Sequence, residues 1–138
     1  MSPVECAICA KHRGEGPLAG PVVWADDAVV VSHRPGEFPG YLFVETRRHV
    51  AALDKLTSDE VSAVSHAAWC AARGLRAELT PEHVFSAIAG RSVAHFHQHV
   101  FVRHRGTPEE IGWMDSPLWT GTPVLDIGVL CRRLADYF

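Results

Sequence analysis

The sequence has no apolar run long enough to span a bilayer, and Met1-Ser2-Pro3-Val4-Glu5 lacks the basic-then-apolar pattern of a secretory leader. The expected address is therefore the cytoplasm, with no membrane partner. Charge of either sign is also in short supply: 13 Lys and Arg stand against 16 Asp and Glu, a net −3, with a pI near 6.3. That removes the electrostatic case for a nucleic-acid or membrane-surface binder, while one local site can still hold a small polyanion. No internal repeat, low-complexity tract or second-domain signal is present. Cysteine is sparse, at four residues. Cys6 and Cys9 form a C-x-x-C, which in a reducing compartment reads as a metal clip or redox pair rather than a structural disulfide. Cys70 and Cys131 sit in helical patterns and read as small core residues.

What is present fits an ordinary globular chain: 138 residues, 47% hydrophobic and 21% charged. We expect one domain over 1–138, with a clip segment and loop at 1–20 and a tail ending in a helix at 106–138. The chain is organised around Val93-Ala94-His95-Phe96-His97-Gln98-His99-Val100-Phe101-Val102. Side chains alternate across a strand, so His95, His97 and His99 would share one face, whereas a helix would turn His97 away. The β-branched and aromatic neighbours favour the strand. Burying three imidazoles without a task is costly, so the alignment points to chemistry.

The remaining pattern gives strands at Val22–Trp24 and Ala28–Val31 joined by a hairpin at Ala25-Asp26-Asp27, and a third at Tyr41–Glu45. Thr57 and Glu60 make a capping box, after which Val61, Val64, Ala68, Ala71 or Ala72, and Leu75 recur at helical spacing to about Leu79. His83–Ala89 is a fourth strand, Gly90-Arg91-Ser92 a turn, and the histidine strand the fifth. A last helix is expected to take Thr122 as cap and Pro123 as its first residue, with Val124, Ile127, Cys131 and Leu134 buried. The expected fold class is α+β: a mainly antiparallel five-stranded sheet with one long helix and a C-terminal helix.

His95-Phe96-His97-Gln98-His99-Val100-Phe101 resembles the His-x-His-x-His-x-x signature of the histidine-triad superfamily of nucleotide hydrolases and transferases. Gly90-Arg91-Ser92-Val93 is similar to the Gly-Gln-Ser/Thr-Val segment of its nucleotide-binding branch, and the strand ending at His49 to its Pro-Lys-x-His strand. The resemblance implies that His97 attacks the α-phosphorus of a nucleotide to form a nucleotidyl-histidine. His99 would contact the phosphate and relay a proton, with Ser92 and Arg91 binding phosphate oxygens. One branch also implies a structural zinc on Cys6, Cys9, His49 and His95. His12 is a competing ligand, and a redox pair or an empty clip are further alternatives. The resemblance implies a homodimer as well.

Several positions depart from the family pattern. Tyr41 stands where a histidine is frequent, Thr46 replaces the proline and Arg91 the glutamine, and His33 and Arg34 occupy the neighbourhood of an acidic ribose contact. Phosphate chemistry survives these changes; base and sugar specificity are left open. Arg103, His104 and Arg105 form either a solvated basic turn or a contact to outer phosphates. Trp113, Met114 and Trp119 either pack or close over substrate. His66 is expected on the surface, and His83 carries no spacing signal. The function expected is a nucleotide hydrolase or nucleotidyltransferase; the alternative is a nucleotide-binding regulatory or zinc-stabilised interaction protein with little turnover.

Overall fold

The first hairpin forms where the sequence offers an aspartate to close it. Asp26 Oδ1 accepts from the N–H groups of Ala28 (2.8 Å) and Val29 (2.9 Å), turning β1 (Val22–Ala25) into β2 (Val29–His33). The computed structural model describes residues 2–138; Met1, part of the expected domain, lies outside them. With β3 (Tyr41–Thr46), β4 (His83–Ala87) and β5 (His97–Arg103), the strands form an antiparallel sheet of order β1-β2-β3-β5-β4. The fold is the α+β arrangement expected.

The period of two divides the sheet into unlike faces. Val29, Val31, Leu42, Val44, Val100 and Val102 turn towards α2 (Ser58–Leu79) and α3 (Ile127–Ala135), where Val64, Ala71, Leu75, Leu130 and Leu134 complete the core. The other face places Tyr41, Phe43 and Glu45 of β3 opposite Phe101, His99 and His97 of β5. One face is packing and the other is available for chemistry.

α2 starts at the capping box: Thr57 Oγ1 accepts from Glu60 N–H at 3.1 Å, and Glu60 Oε1 accepts from Thr57 N–H at 2.9 Å. Of its expected stripe, Val61 is instead 41% exposed, while Cys70 is buried as anticipated. Gly74 lies where α3 crosses. A Cβ there would sit 2.9 Å from Leu134 Cδ2 and 3.1 Å from the Tyr137 ring, so the missing side chain permits the close approach.

Three expectations need correction. α3 is capped by Asp126, whose Oδ1 accepts from Val129 N–H at 3.0 Å, so Thr122 and Pro123 precede the helix and Val124 is exposed. β5 begins at His97, not Val93. β4 ends at Ala87 opposite His99, leaving residues 91–96 without a strand partner, and Phe96 N–H donates to Val50 O (2.7 Å) instead. The N-terminal segment holds a six-residue helix, α1 (Ala7–His12), begun by Cys6, whose Sγ accepts from Cys9 N–H at 3.4 Å. Among the described residues, no helix is long and apolar enough to cross a membrane.

Candidate active site and metal centre

The C-x-x-C occupies the first turn of α1, which places both sulfurs at the end of the helix nearest the histidines. Cys6 Sγ lies 3.5 Å from His95 Nδ1; Cys9 Sγ lies 3.4 Å from His49 Nδ1 and 3.5 Å from His95 Nδ1. All four donor atoms fall within 4.8 Å of one another. Bonds of about 2.3 Å to sulfur and 2.0–2.1 Å to nitrogen, arranged tetrahedrally, give sulfur–nitrogen edges of about 3.5 Å. The cluster has the dimensions of a Cys₂His₂ zinc site. Its outer contact agrees: His95 Nε2–H donates to Thr46 O at 2.7 Å, which leaves the Nδ1 lone pair facing the sulfurs. Cys6 and His95 are 1% and 0% exposed. The residues fit a closed, structural zinc.

His12 is not part of this cluster. Its Nε2 lies 2.9 Å from Glu45 Oε1, while Lys11 Nζ donates to Glu45 Oε2 at 2.7 Å. Burial pushes the Glu45 carboxyl up, but the His12 hydrogen bond and the Lys11 charge outweigh it and hold the group below the usual range. None of the four cysteines is in a disulfide.

His95 stands just before β5, so the three imidazoles are not neighbours on one strand. His97 and His99 are, with ring centroids 5.3 Å apart. The His97 ring is aimed by its own backbone: Nδ1 lies 2.7 Å from His95 O. A carbonyl only accepts, so Nδ1 carries the hydrogen, and the neutral ring has its lone pair on Nε2. His99 Nδ1 meets the Tyr41 hydroxyl at 2.7 Å. Burial, with His97 and Arg34 nearby, pushes His99 down to about 4, and burial raises the Tyr41 phenol. At neutral pH the pair is therefore a neutral imidazole and a protonated phenol.

These groups line a cleft of about 490 Å³ closed by Ile8, Lys11, Leu18, Arg34, Phe43, Glu45 and Ser92. Two cations rest on its aromatic floor: Lys11 Nζ is 4.5 Å from the Phe43 centroid, and the Arg34 guanidinium 5.1 Å from that of Tyr41. Apolar walls with a few convergent polar groups suit a small anionic ligand with a ring system.

The family model for the HIT domain matches residues 20–106, more than half of the sequence and all five strands. The chain belongs to the HIT domain family. It thereby joins a superfamily of nucleotide-binding hydrolases and transferases. Solved structures with the same fold include a zinc-bound histidine triad family protein from Mycobacterium smegmatis, at 19% identity and TM-score 0.73, covering 99% of this chain and 94% of that one. A HIT-like protein involved in cell-cycle regulation from Bartonella henselae matches at 17% identity and TM-score 0.71 over 97% of each chain. A hypothetical histidine triad nucleotide-binding protein from Sulfolobus tokodaii matches at 14% and 0.69, covering 96% of this chain and 91% of that one. At such identities the likeness is one of fold. No curated protein matches the sequence.

In this HIT-domain chain the other candidate residues fall into place unevenly. Ser92 lines the cleft; Arg91 is exposed and does not line it. Arg103 is buried and donates to the carbonyls of Ile111 (2.7 Å) and Pro108 (2.8 Å), while His104 Nε2 donates to Pro39 O at 2.7 Å and Arg105 Nε to Thr80 O at 3.0 Å. The basic turn is a structural knot and not a phosphate contact. His33 is equally structural: Nδ1 donates to Arg34 O (2.7 Å) and Nε2 accepts from Gly40 N–H (2.9 Å). Trp113 stacks on Phe101 (6.1 Å between centroids, 13° between planes) and so packs the tail onto the sheet; Met114 is exposed. Trp119 borders a separate groove with Arg34 and Phe38. His66 and His83 are exposed. Sequence reasoning missed Lys11 and Glu45. The available signal was a glutamate in the apolar run Tyr41–Glu45, two places from Phe43 on the histidine face.

Proposed function

We propose that this protein hydrolyses or transfers a nucleoside monophosphate unit through a covalent nucleotidyl-histidine on His97. The observation that carries the reading is the 2.7 Å bond from His97 Nδ1 to His95 O, which leaves Nε2 as the nucleophilic atom at the wall of the cleft. Nε2 would bond to the α-phosphorus as the bond to the leaving group breaks. Water or another acceptor would then displace the imidazole, so one hard displacement becomes two easier ones. His99, neutral, is hydrogen-bonded through Nδ1 to the Tyr41 hydroxyl; with that hydroxyl as donor, Nε2–H would face a phosphate oxygen. Ser92 would donate to another oxygen as charge grows on it, and Arg34 would favour the anion, the Lys11 charge being offset by Glu45. Arg91, exposed, would meet substrate only at the cleft mouth.

Zinc on Cys6, Cys9, His49 and His95 would supply a cross-link between α1 and the backbone leading into β5, and no chemistry of its own. The reading treats 1–138 as one domain of a cytoplasmic homodimer. Candidate substrates are nucleoside phosphoramidates, dinucleoside polyphosphates and sugar nucleotides. The test is acid-quench mass spectrometry during turnover of that panel. A nucleotidyl adduct on His97, absent in His97→Ala, is the expected result. Nucleotide binding with neither adduct nor turnover would replace this reading with that of a regulatory binder.

A further inference from the structure

A second cavity on the histidine face of the sheet, of about 360 Å³, shares only Lys11 with the cleft. Val29 and Val31 of β2 face the core, so Val30 and Ser32 turn to the same side as Glu45 and Phe43, their partners on β3. There they meet the end of α1 and the residues that follow it. The lining side chains that can form hydrogen bonds are Lys11, His12, Arg13, Ser32 and Arg47.

Their hydrogen-bonding capacity is only partly spent. Ser32 is 1% exposed, and its Oγ has no hydrogen-bond partner among the described residues. Buried hydroxyls are ordinarily satisfied, and an exception points to an ion or water held beside it. Arg13 Nε donates to Glu15 Oε2 at 3.3 Å and Arg47 Nε to Asp26 O, while the Nη groups of both carry no hydrogen bond among the described residues. Lys11 Nζ gives one of its hydrogens to Glu45. These cations do have counter-charges: Glu45 for Lys11, Glu15 for Arg13, and Asp26 near Arg47. None of the three carboxylates lines the cavity. Glu45 is engaged by Lys11 and His12, Asp26 Oδ1 by two N–H groups of the hairpin, and Glu15 stands in solvent. What the cavity offers is therefore a surplus of donors and not a strong positive field.

Lysine and arginine only donate, and a serine hydroxyl can, so the matching ligand is one that mainly accepts. A carboxylate brings two acceptor oxygens. A phosphate group brings at least three, enough for a guanidinium fork, an ammonium and a hydroxyl together. We propose that this cavity is a phosphate-binding site, distinct from the His97 cleft, which takes inorganic phosphate or the phosphate of a small monoester. Ser32 Oγ–H and the forks of Arg13 and Arg47 would be its donors, with Lys11 beside them. Such a site requires no turnover at His97.

The probe is inorganic phosphate, added to the zinc-loaded protein at constant ionic strength with chloride as the reference and followed by backbone amide NMR. Gly14, Gly20 and Ser32, which line the cavity, should shift together along one saturating curve. Ser32→Ala and Arg47→Gln should each weaken binding about tenfold or more, the size of one charge-assisted hydrogen bond. In chloride, Ser32→Ala should melt no lower than wild type, because the hydroxyl it removes has no partner in the fold. A clearly lower midpoint would mean that the hydroxyl serves folding, and would overturn the proposal. A curve confined to Ser92, His97 and His99 would place the ion in the cleft and overturn it too. So would the absence of a saturable shift by about 10 mM, where a millimolar site is mostly filled. Ethyl phosphate separates the two sources: equal or tighter binding than inorganic phosphate assigns a monoester, weaker binding assigns the free ion, and both uphold the site.

Discussion

Replacing Glu45 by alanine should be among the most damaging single changes outside the metal ligands. Its carboxylate is 1% exposed and is held by Lys11 Nζ at 2.7 Å and His12 Nε2 at 2.9 Å, whose side chains are 5% and 9% exposed. Removing it leaves a buried ammonium without a counter-charge, which costs about 3–5 kcal/mol. With a urea m-value of about 2 kcal/mol/M, the unfolding midpoint should drop by roughly 2 M. The paired replacement, Glu45→Met with Lys11→Met, removes both charges and should recover most of that loss, because an apolar pair of similar volume has no desolvation penalty. Urea denaturation of the three proteins followed by intrinsic tryptophan fluorescence reads both numbers. The folded-state Glu45 pKa lies below its ordinary value, so the pair's contribution is present above the ordinary glutamate pKa and is lost as pH falls through the folded value. The wild-type midpoint should therefore fall in acid more steeply than that of the double variant. A single variant less than about 1 kcal/mol weaker than wild type, or a double variant as weak as the single, would refute the account of a desolvated, mutually dependent pair.

Other outcomes follow from the same geometry. Protein prepared without chelators should hold about one zinc per chain, and Cys9→Ser should lose it and melt roughly 10 °C lower or more, as read by metal analysis and calorimetry. His99 should titrate near 4 in an NMR titration of its ring, because burial and the neighbouring His97 disfavour its cation; a midpoint near 6.5 would mean that the ring is solvated. Since this folded pKa is depressed, neutral His99 favours folding above the ordinary histidine value and that contribution drains as pH falls towards 4. Thr57→Ala removes the cap of α2 and should cost about 1 kcal/mol in thermal or urea unfolding, with turnover unaltered.

Elements whose identity rests on local pattern were legible in the sequence. The capping box at Thr57 and Glu60, the Asp26 turn and the five alternating strands come from rules that act within a few residues, and all five strands are present. The C-x-x-C and the alternating histidines were legible as residue types and spacing, while the pairing of Cys6 and Cys9 with His49 and His95 came from the family resemblance, and the four donor atoms do come together. What escaped was settled by distant partners. His95 leaves the strand because the sulfurs of Cys6 and Cys9 and the carbonyl of Thr46 engage its ring from other parts of the chain. Lys11 and His12 gain meaning only once α1 lies over Glu45, and a six-residue helix is too short to declare itself by periodicity. Arg103 followed the triad as a basic residue but spends its donors on carbonyls of a tail whose path no local pattern specifies.

His95 answers to two masters: its ring faces the thiols while its carbonyl oxygen receives the hydrogen of His97. Poisoning this protein would not require a molecule in the cleft. A thiol-seeking reagent acting at the half-buried Cys9, whose sulfur packs against His49 and His95, would slacken the peptide that orients the His97 ring. Ligand would still enter and rest there, but on a ring free to swap tautomers and present the wrong nitrogen.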